Sequence, residues 1–600
     1  MSDRTVKNHL RIVHLAAALS FSTFQHSVAV GGTSPLVTPN AAGVEVVPGE
    51  WAGDPVRGAP WIPSRGAETK QYPYLPGWPN IEEILIFDPY GIVLSDLDGD
   101  QTQEVIAGST DGKLYVWRPD GTTLPGWPVD LGTYIQSKVA VADLDLDGDR
   151  EVIVACRNGI VAAYRLEGTL MPGWPKTVGQ GYGTIAPNIY DLDADGVPEI
   201  LWSARTKLHA WRASGSVVPG FPITISEQIT GTLAIADVAE GEAPEIFAVT
   251  LQGSLFAFRA NGTTLPGWPV HFGWETSWAA PSIGPLLDNG RKQILVVGSN
   301  GTAGTNIFGY EADGTPLANF PINYPSLQTY SCPVLANVDA DKQLEIFNGG
   351  KVDGPSFWAW NHDGSLLDGF PQNAAPFLEG STVVANLDRD PALEVMIADN
   401  FNPGKIFAYN ADGSEVLYYP ILKPHSCGPS SPSLGDVDND GYMDIAMTMS
   451  SGWFGVWRTT TRWRPETAEW PTMFHDNWNT NQYGFREPTP GGGAMSKWPA
   501  APLVDISDLR PEPWLVVGRH TVDGASLSLR LDQRSAVRAR VVGVDGRIVR
   551  QLGSWIAKAG ETEIAWDHRD AVGREVQAGV YFVQVEAQGS SASARIVVMR

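Results

Sequence analysis

The sequence predicts an all-β chain: a β-propeller of about eight four-stranded blades, with seven the competing count, followed by a small C-terminal Ig-like β-sandwich. Three observations carry this reading. An aromatic-Pro pair returns at Trp78, Trp127, Trp174, Phe221, Trp268, Phe320, Phe370, Tyr419 and Trp470, at intervals of 47 to 52 residues. Each interval is built of short alternating apolar runs and Gly turns, as in "KVAVADLDLDGDREVIVACRNGIVAAYRLEGTLMPGWP", and none offers an amphipathic helix. An acidic loop recurs at one fixed place in six of the eight intervals.

The period selects the architecture. Four strands of about 5 to 6 residues, with their turns, fill such an interval. A four-stranded unit repeated every 40 to 50 residues or so is the signature of a propeller blade. The rungs of a β-solenoid would be about half as long or less. Nine closing phrases bound eight units, and the first, "LPGWP" at residues 75 to 79, precedes the first complete unit. The ring can therefore close by mixing N-terminal and C-terminal strands.

The acidic loops follow the first alternating run of each blade. They place oxygen side chains at positions 1, 3, 5 and 9: Asp96, Asp98, Asp100, Glu104; Asp143, Asp145, Asp147, Glu151; and Asp191, Asp193, Asp195, Glu199. Three later sets are Asn337, Asp339, Asp341, Glu345; Asn386, Asp388, Asp390, Glu394; and Asp436, Asp438, Asp440, Asp444. Carboxylates crowded this closely repel one another unless a positive charge joins them. Oxygen-only ligands suit a hard cation of high coordination number, which is calcium, at about six sites. Zinc would call for His or Cys, which these loops lack. An EF-hand needs Glu at position 12, where four of the loops carry Ala107, Val154, Trp202 and Met447. The fourth and fifth blades have lost the pattern, offering Asp237, Ala239, Gly241, Glu245 and Pro285, Leu287, Asn289, Gln293. Neither forms a comparable cage.

Composition sets the flanks. Residues 1–29 carry Arg4, Lys7 and Arg11, the apolar run "IVHLAAALSF" and a small-residue "SVA" at the end, the pattern of a secretory signal peptide. A plain cytoplasmic N-terminus is the alternative. Residues 30–69 form a Pro/Gly-rich arm, 70–485 the propeller, 486–510 a linker containing "TPGGGAMSKWPAAP", and 511–600 the sandwich of alternating strands. No later run reaches the 18 or so apolar residues of a transmembrane segment. The expected location is secreted or extracellular, with attachment to a cell surface the variant.

The loops and their closing phrases resemble the FG-GAP and VCBS-type repeats of integrin α-like β-propellers, over roughly residues 70 to 485. That resemblance implies one calcium per intact loop. The ending "WPTMFHDNWNTNQYG" is similar to the terminal phrase of many secreted bacterial propellers. The tail, with "DGR" at Asp545 to Arg547, "WDHRDAVG" at Trp566 to Gly573 and "AGVYFVQV" at Ala578 to Val585, resembles the FlgD-like Ig fold and the type A sorting domain of type IX secretion. It implies the secretion machinery as a partner; an accessory Ig-like module is the other reading.

The formal charge of −25 belongs largely to the loops, whose six intact sets hold 23 carboxylates counting Asp149. Such acidity argues against nucleic acid as a partner. Cys156, Cys332 and Cys427 occupy non-equivalent places and read as small buried residues, with no disulfide indicated. No nucleophile elbow, HExxH, P-loop or Rossmann fingerprint occurs, so no catalytic residue is assigned. His425, in "PHSCGPSSP", is a loop histidine. The Trp residues of the "PGWP" phrases are expected between blades, while Trp274, Trp278, Trp358, Trp360, Trp453 and Trp457 are candidates for stacking on a ligand. The function expected is a non-enzymatic binding or adhesion module for protein or glycan ligands. The alternative is a carbohydrate-active enzyme such as a polysaccharide lyase, which would need a concave patch of Arg, Lys, His or Tyr.

Overall fold

The computed structural model describes residues 72–81, 91–488 and 514–598, apart from 180, 182–184, 240–242, 275–278, 288, 301–303, 328–329, 340, 389, 391, 522–523, 532–533, 544–546, 559 and 588–589. The signal-peptide and arm expectations, most of the linker, Asp545 and Trp278 lie outside the described residues.

Among the described residues there is no α-helix, and eight antiparallel sheets follow one another along residues 80 to 462. Blade 2 shows the plan: Ala140–Ala142, Glu151–Ala155, Ile160–Tyr164 and Lys176–Thr177, each hydrogen-bonded to the next. The first three strands of a blade are short and nearly all buried, because each sheet packs between two neighbours. Alternation is therefore weak in the middle of a blade, and β-branched runs such as "EVIVA" take its place.

The count is eight, and the ring closes by mixing the chain ends. Asn80–Ile81 supplies the outer strand of blade 8, pairing antiparallel with Trp453–Arg462, so that Asn80 faces Phe454. The phrase at Trp78 thus belongs to the last blade. Blade 6 departs from four strands, holding Val334–Ala336, Glu345–Gly349 and Phe357–Trp360, with the fourth place reduced to one bridge between Phe357 and Gln372.

The closing phrases stitch neighbouring blades, as their recurrence implies. Indole Nε1 of Trp78, Trp127 and Trp174 donates at 2.8 Å to the carbonyls of Pro119, Leu166 and Ala213 in the following blade. The preceding glycine makes this approach feasible: Gly126 has φ +91, and a Cβ there would stand 2.0 Å from the Glu167 carbonyl oxygen. Where the phrase carries Phe or Tyr, only packing remains.

The ninth phrase does something else. Residues 469 to 483 leave the last blade and circle the axis, meeting the first strand of every blade in turn. The Val384 amide donates to Trp470 at 2.9 Å, Leu434 to Pro471 at 3.0 Å, Val141 to Asn477 at 3.0 Å and Ile189 to Trp478 at 2.9 Å. Ile235 donates to Thr480 at 3.0 Å and Ile283 to Asn481 at 2.9 Å. Asn477 Nδ2 reaches the Leu94 carbonyl at 3.0 Å, and Glu469 Oε2 accepts the Asn337 amide at 2.8 Å. The inner strands would otherwise expose unpaired edges to the channel, which this segment satisfies. Lys138, fully buried, donates to the carbonyls of Met473 at 2.8 Å and Asp476 at 2.7 Å.

In the C-terminal region Trp514–Thr521, Gly524–Leu531 and Gly560–Trp566 form one sheet. Ser535–Gly543, Ile548–Ala557, Gly579–Ala587 and Ser590–Val598 form another. Leu527, Leu529, Val541, Ile564, Trp566 and Val585 belong to one core. That is a sandwich.

Candidate metal loops

Each acidic loop joins the first and second strands of its blade. Position 9 opens the second strand in five of the six loops and lies two residues inside it in blade 8, and the chain must turn back on itself between the two strands. The buried carboxylate at position 9 makes that turn by accepting the backbone amide of position 2. Glu104 takes Leu97 at 3.0 Å, Glu151 takes Leu144 at 2.9 Å, Glu199 takes Leu192 at 2.9 Å, and Asp444 takes Val437 at 2.9 Å. Glu345 and Glu394 bind Val338 and Leu387 at 2.9 and 2.5 Å.

Only one oxygen of each carboxylate is engaged in this way. Glu345 Oε1, Glu394 Oε1 and Asp444 Oδ1 are buried without a hydrogen-bond partner, as are Asp191 Oδ1, Asn337 Oδ1 and Asp438 Oδ1. A buried charged oxygen with no partner is costly. Burial accordingly pushes the carboxyl pKa of Glu151, Glu199, Glu345 and Asp444 up to about 8, and neighbouring aspartates push the same way. Glu104 rises to about 7, and Glu394 lies well above its ordinary value, for the same first reason.

Positions 1, 3 and 5 surround this oxygen. Ligand atoms of Asp96, Asp98 and Glu104 lie within 4.8 Å of one another, as do those of Asp143, Asp145, Glu151 and of Asp191, Asp193, Glu199. Asp339, Asp341, Glu345 and Asp388, Asp390, Glu394 form two further triads. These clusters could hold a metal ion, and the unpartnered oxygens fit one. Position 5 also turns the loop: Asp100, Asp195, Asp341 and Asp390 accept the amide two residues on, at 2.7 to 2.8 Å.

Position 1 differs between the Asp and the Asn loops, and in blade 7 the sequence gives a reason. Asp191 and Asp436 accept the amide of position 6, from Gly196 and Gly441, each at 2.9 Å. In blade 7 position 6 is Pro391, which has no amide hydrogen. There Asn386 turns its Nδ2 to the carbonyl of Asp390, and in blade 6 Asn337 does the same to Asp341 at 3.0 Å. An oxygen still faces the cage.

Sequence reasoning missed the arginines. Arg165 Nη2 and Nη1 lie 2.5 and 3.1 Å from Asp145 and Asp147. Arg212 Nη2 lies 2.8 Å from Asp193, and Arg458 pairs with Asp438 and Asp440. The signal was present in the chain: Arg directly follows the aromatic residue of the third strand at 118, 165, 212, 259 and 458.

Other candidates resolve differently. Trp360 and Trp457 are buried, and Trp274, Trp358 and Trp453 are half-buried. The cysteines are buried and free. A cavity of about 280 Å³ beside the axial segment is lined by Arg150, Glu469, His475, Tyr483, Arg486 and others. Three of its polar groups are already engaged: Arg150 with Ser95 at 2.8 Å, His475 with Asp476 at 2.9 Å, Arg486 with the Pro465 carbonyl at 3.1 Å. Burial pushes the Tyr483 hydroxyl pKa far up, the opposite of what a tyrosine base needs. Among the described residues no helix is long and apolar enough to cross a membrane.

The FG-GAP-like repeat family matches residues 96–154, 143–202 and 386–447. Every match begins at the first ligand position of one loop and ends at position 12 of the next. The similarity to FG-GAP-like repeats thus runs from the acidic loop of blade 1 into the second strand of blade 3, and from the loop of blade 7 into the second strand of blade 8. No curated protein matches the chain. Solved structures similar to it include BBS1N in complex with ARL6DN, at 14% identity, covering 65% of this chain and 99% of that one with a TM-score of 0.39. Saccharomyces cerevisiae Sqt1 is 12% identical, over 65% of this chain and 100% of that one, with a TM-score of 0.46. The V. cholerae biofilm matrix protein Bap1 is 12% identical, over 69% and 83%, with a TM-score of 0.35. At these values the likeness carries no functional argument.

Proposed function

We propose that the chain is a calcium-stabilised β-propeller, secreted or attached to a cell surface, that presents a binding face to a protein or glycan ligand. The C-terminal sandwich serves export through the secretion machinery. The observation that supports calcium most directly is the unpartnered buried oxygen at position 9, seen at Glu345, Glu394 and Asp444. A proton, a hydrogen bond or a cation must satisfy it, and only a cation also satisfies the carboxylates around it.

Antiparallel pairing puts all the acidic loops on one face of the ring. The opposite face carries the strand 2–3 turns and the connections between blades. The acidic face repeats from blade to blade. The opposite face varies, from a two-residue turn at 205–206 to the longer "KVDGPS" at 351–356. Variable loops on a repeated scaffold are where specific binding resides. Exposed Tyr134, Leu327 and Phe401 stand in those connections.

Extracellular modules bind calcium with dissociation constants of about 0.1 to 1 mM, so a tenfold excess stabilises each site by roughly 1.4 kcal/mol. Six sites give on the order of 8 kcal/mol, comparable with the whole net stability of many domains. The test is a calcium titration of the full chain together with thermal unfolding, with and without chelator. About six bound ions and a large fall in melting temperature on chelation are expected. No uptake and an unchanged melting temperature would leave the acids as a solvated rim.

A further inference from the structure

The six loops do not carry the same charge, and a second position compensates. Where position 1 is Asp, in blades 1, 2, 3 and 8, the residue after the aromatic of the third strand is Arg118, Arg165, Arg212 or Arg458. Where position 1 is Asn, in blades 6 and 7, that residue is Asn361 or Asn410. Counting the four ligand positions and this fifth one, each site carries a formal −3.

The geometry agrees with the count. Arg165 bridges positions 3 and 5 of its loop, and Arg212 and Arg458 engage the same two positions of theirs. The asparagines turn away: Nδ2 of Asn361 and of Asn410 donates at 2.9 Å to Ser365 and Ser414 in their own turns. Each of these residues follows a buried aromatic at the same point of its strand: Trp117, Tyr164, Trp211, Trp360, Tyr409 and Trp457.

We propose that the residue after the third-strand aromatic sets the cation affinity of each loop, arginine offsetting the fourth carboxylate and asparagine leaving three carboxylates unopposed. The inference rests on the calcium reading and adds to it that the six sites are tuned toward one affinity. In the calcium-free protein the guanidinium holds the aspartates at positions 3 and 5 together. It also opposes the ion's entry. A unit charge about 6 Å from a divalent ion in surroundings near the dielectric of water shifts binding by about tenfold.

The experiment is calorimetric calcium titration of the full chain, wild type against Arg165→Gln, Arg165→Lys and Asn410→Arg, with melting curves in chelator. Arg165→Gln should tighten one site about tenfold while lowering the melting temperature of the chelated protein, and Arg165→Lys should behave as wild type. Asn410→Arg, which removes no structural contact of an acidic loop, should weaken one site about tenfold. Calcium uptake by the wild type with an Arg165→Gln that weakens or leaves every affinity unchanged overturns this proposal alone, as does an Asn410→Arg without effect. A wild-type chain that takes up no calcium overturns the calcium reading, and this one with it.

Discussion

Blades 4 and 5 form complete four-stranded sheets, yet their loops lack the cage, and the way each is held together explains the rest. In blade 4 Glu245 keeps the position-9 role, accepting the amides of Val238 and Ala239 at 2.9 and 3.3 Å. The half-buried Lys292 of blade 5 is near enough to feel both acids of this loop: burial pushes its ammonium pKa down, and the charges of Asp237 and Glu245 pull it back up. In blade 5 position 9 is Gln293, fully buried, whose Oε1 accepts the Leu287 amide at 3.3 Å. Its Nε2 donates to Asn289 and Glu311, both at 3.2 Å. In blade 4 the charge of Lys292 acts on the acids, and in blade 5 an amide stands at position 9, where Glu345, Glu394 and Asp444 leave a bare oxygen. The turn needs its inward-facing oxygen answered, and the chain can do so itself or leave it to an ion.

The sharpest way to break this comparison is to remove the ion and watch the blades separately. Chelation should destabilise the full chain by on the order of 8 kcal/mol if six sites are filled at tenfold excess. By hydrogen exchange, protection should fall most in the second strands of blades 6 and 7, Glu345–Gly349 and Glu394–Ala398, where no arginine answers the carboxylates. It should fall least in Glu245–Val249 and Gln293–Ser299. Equal loss in all blades would show that the ring opens as one unit and that the side-chain substitutes in blades 4 and 5 give no local advantage.

Much of this was legible in the chain because it repeats. The period, the blade plan and the six acidic sets follow from spacings that eight copies of one unit make visible, and the position of each loop between strands one and two follows from its neighbours. What stayed hidden involves contacts across blades or across the axis. Lys292 answers acids about fifty residues earlier in the chain, and residues 469 to 483 meet eight strands at once; neither relation has a local pattern. The phrase at Trp470 reads as a ninth blade closure, yet its tryptophan pairs with Val384 in the channel. Composition cannot distinguish a phrase that closes a blade from one that closes the axis.

A smaller effect tests the amide. Gln293→Glu restores the acid of the intact blades, but Pro285 and Leu287 supply no carboxylate, and Glu311 becomes a like charge at the distance of the lost hydrogen bond. The expected result is a loss of about 2 to 3 kcal/mol in chemical denaturation at neutral pH, with no added calcium ion by titration. A variant that instead binds one more ion would mean position 9 alone decides occupancy. Acidity gives a related readout. Because Glu151, Glu199 and Glu345 have folded pKa values raised to about 8 by burial, the chelated protein gains stability from their protonation at low pH and loses it as pH rises from about 4.5 to 8. Saturating calcium should flatten that slope; an equal slope in both conditions would place its origin outside the loops.

The smallest expected effect falls on the ammonium. Lys292→Met keeps the length of the side chain and removes the charge that acts on Asp237 and Glu245. Because Glu245 retains its two backbone amides, and Arg259 also lowers its pKa, only part of the compensation is lost. A loss of about 1 to 2 kcal/mol is expected from denaturant midpoints. The diagnostic feature is that the loss should be the same in calcium and in chelator, since two carboxylates do not make a cage. A loss seen only in chelator would mean that calcium can replace the lysine. Blade 4 would then be a seventh site held shut by one side chain, and the division between the two kinds of blade would be one of occupancy instead of architecture.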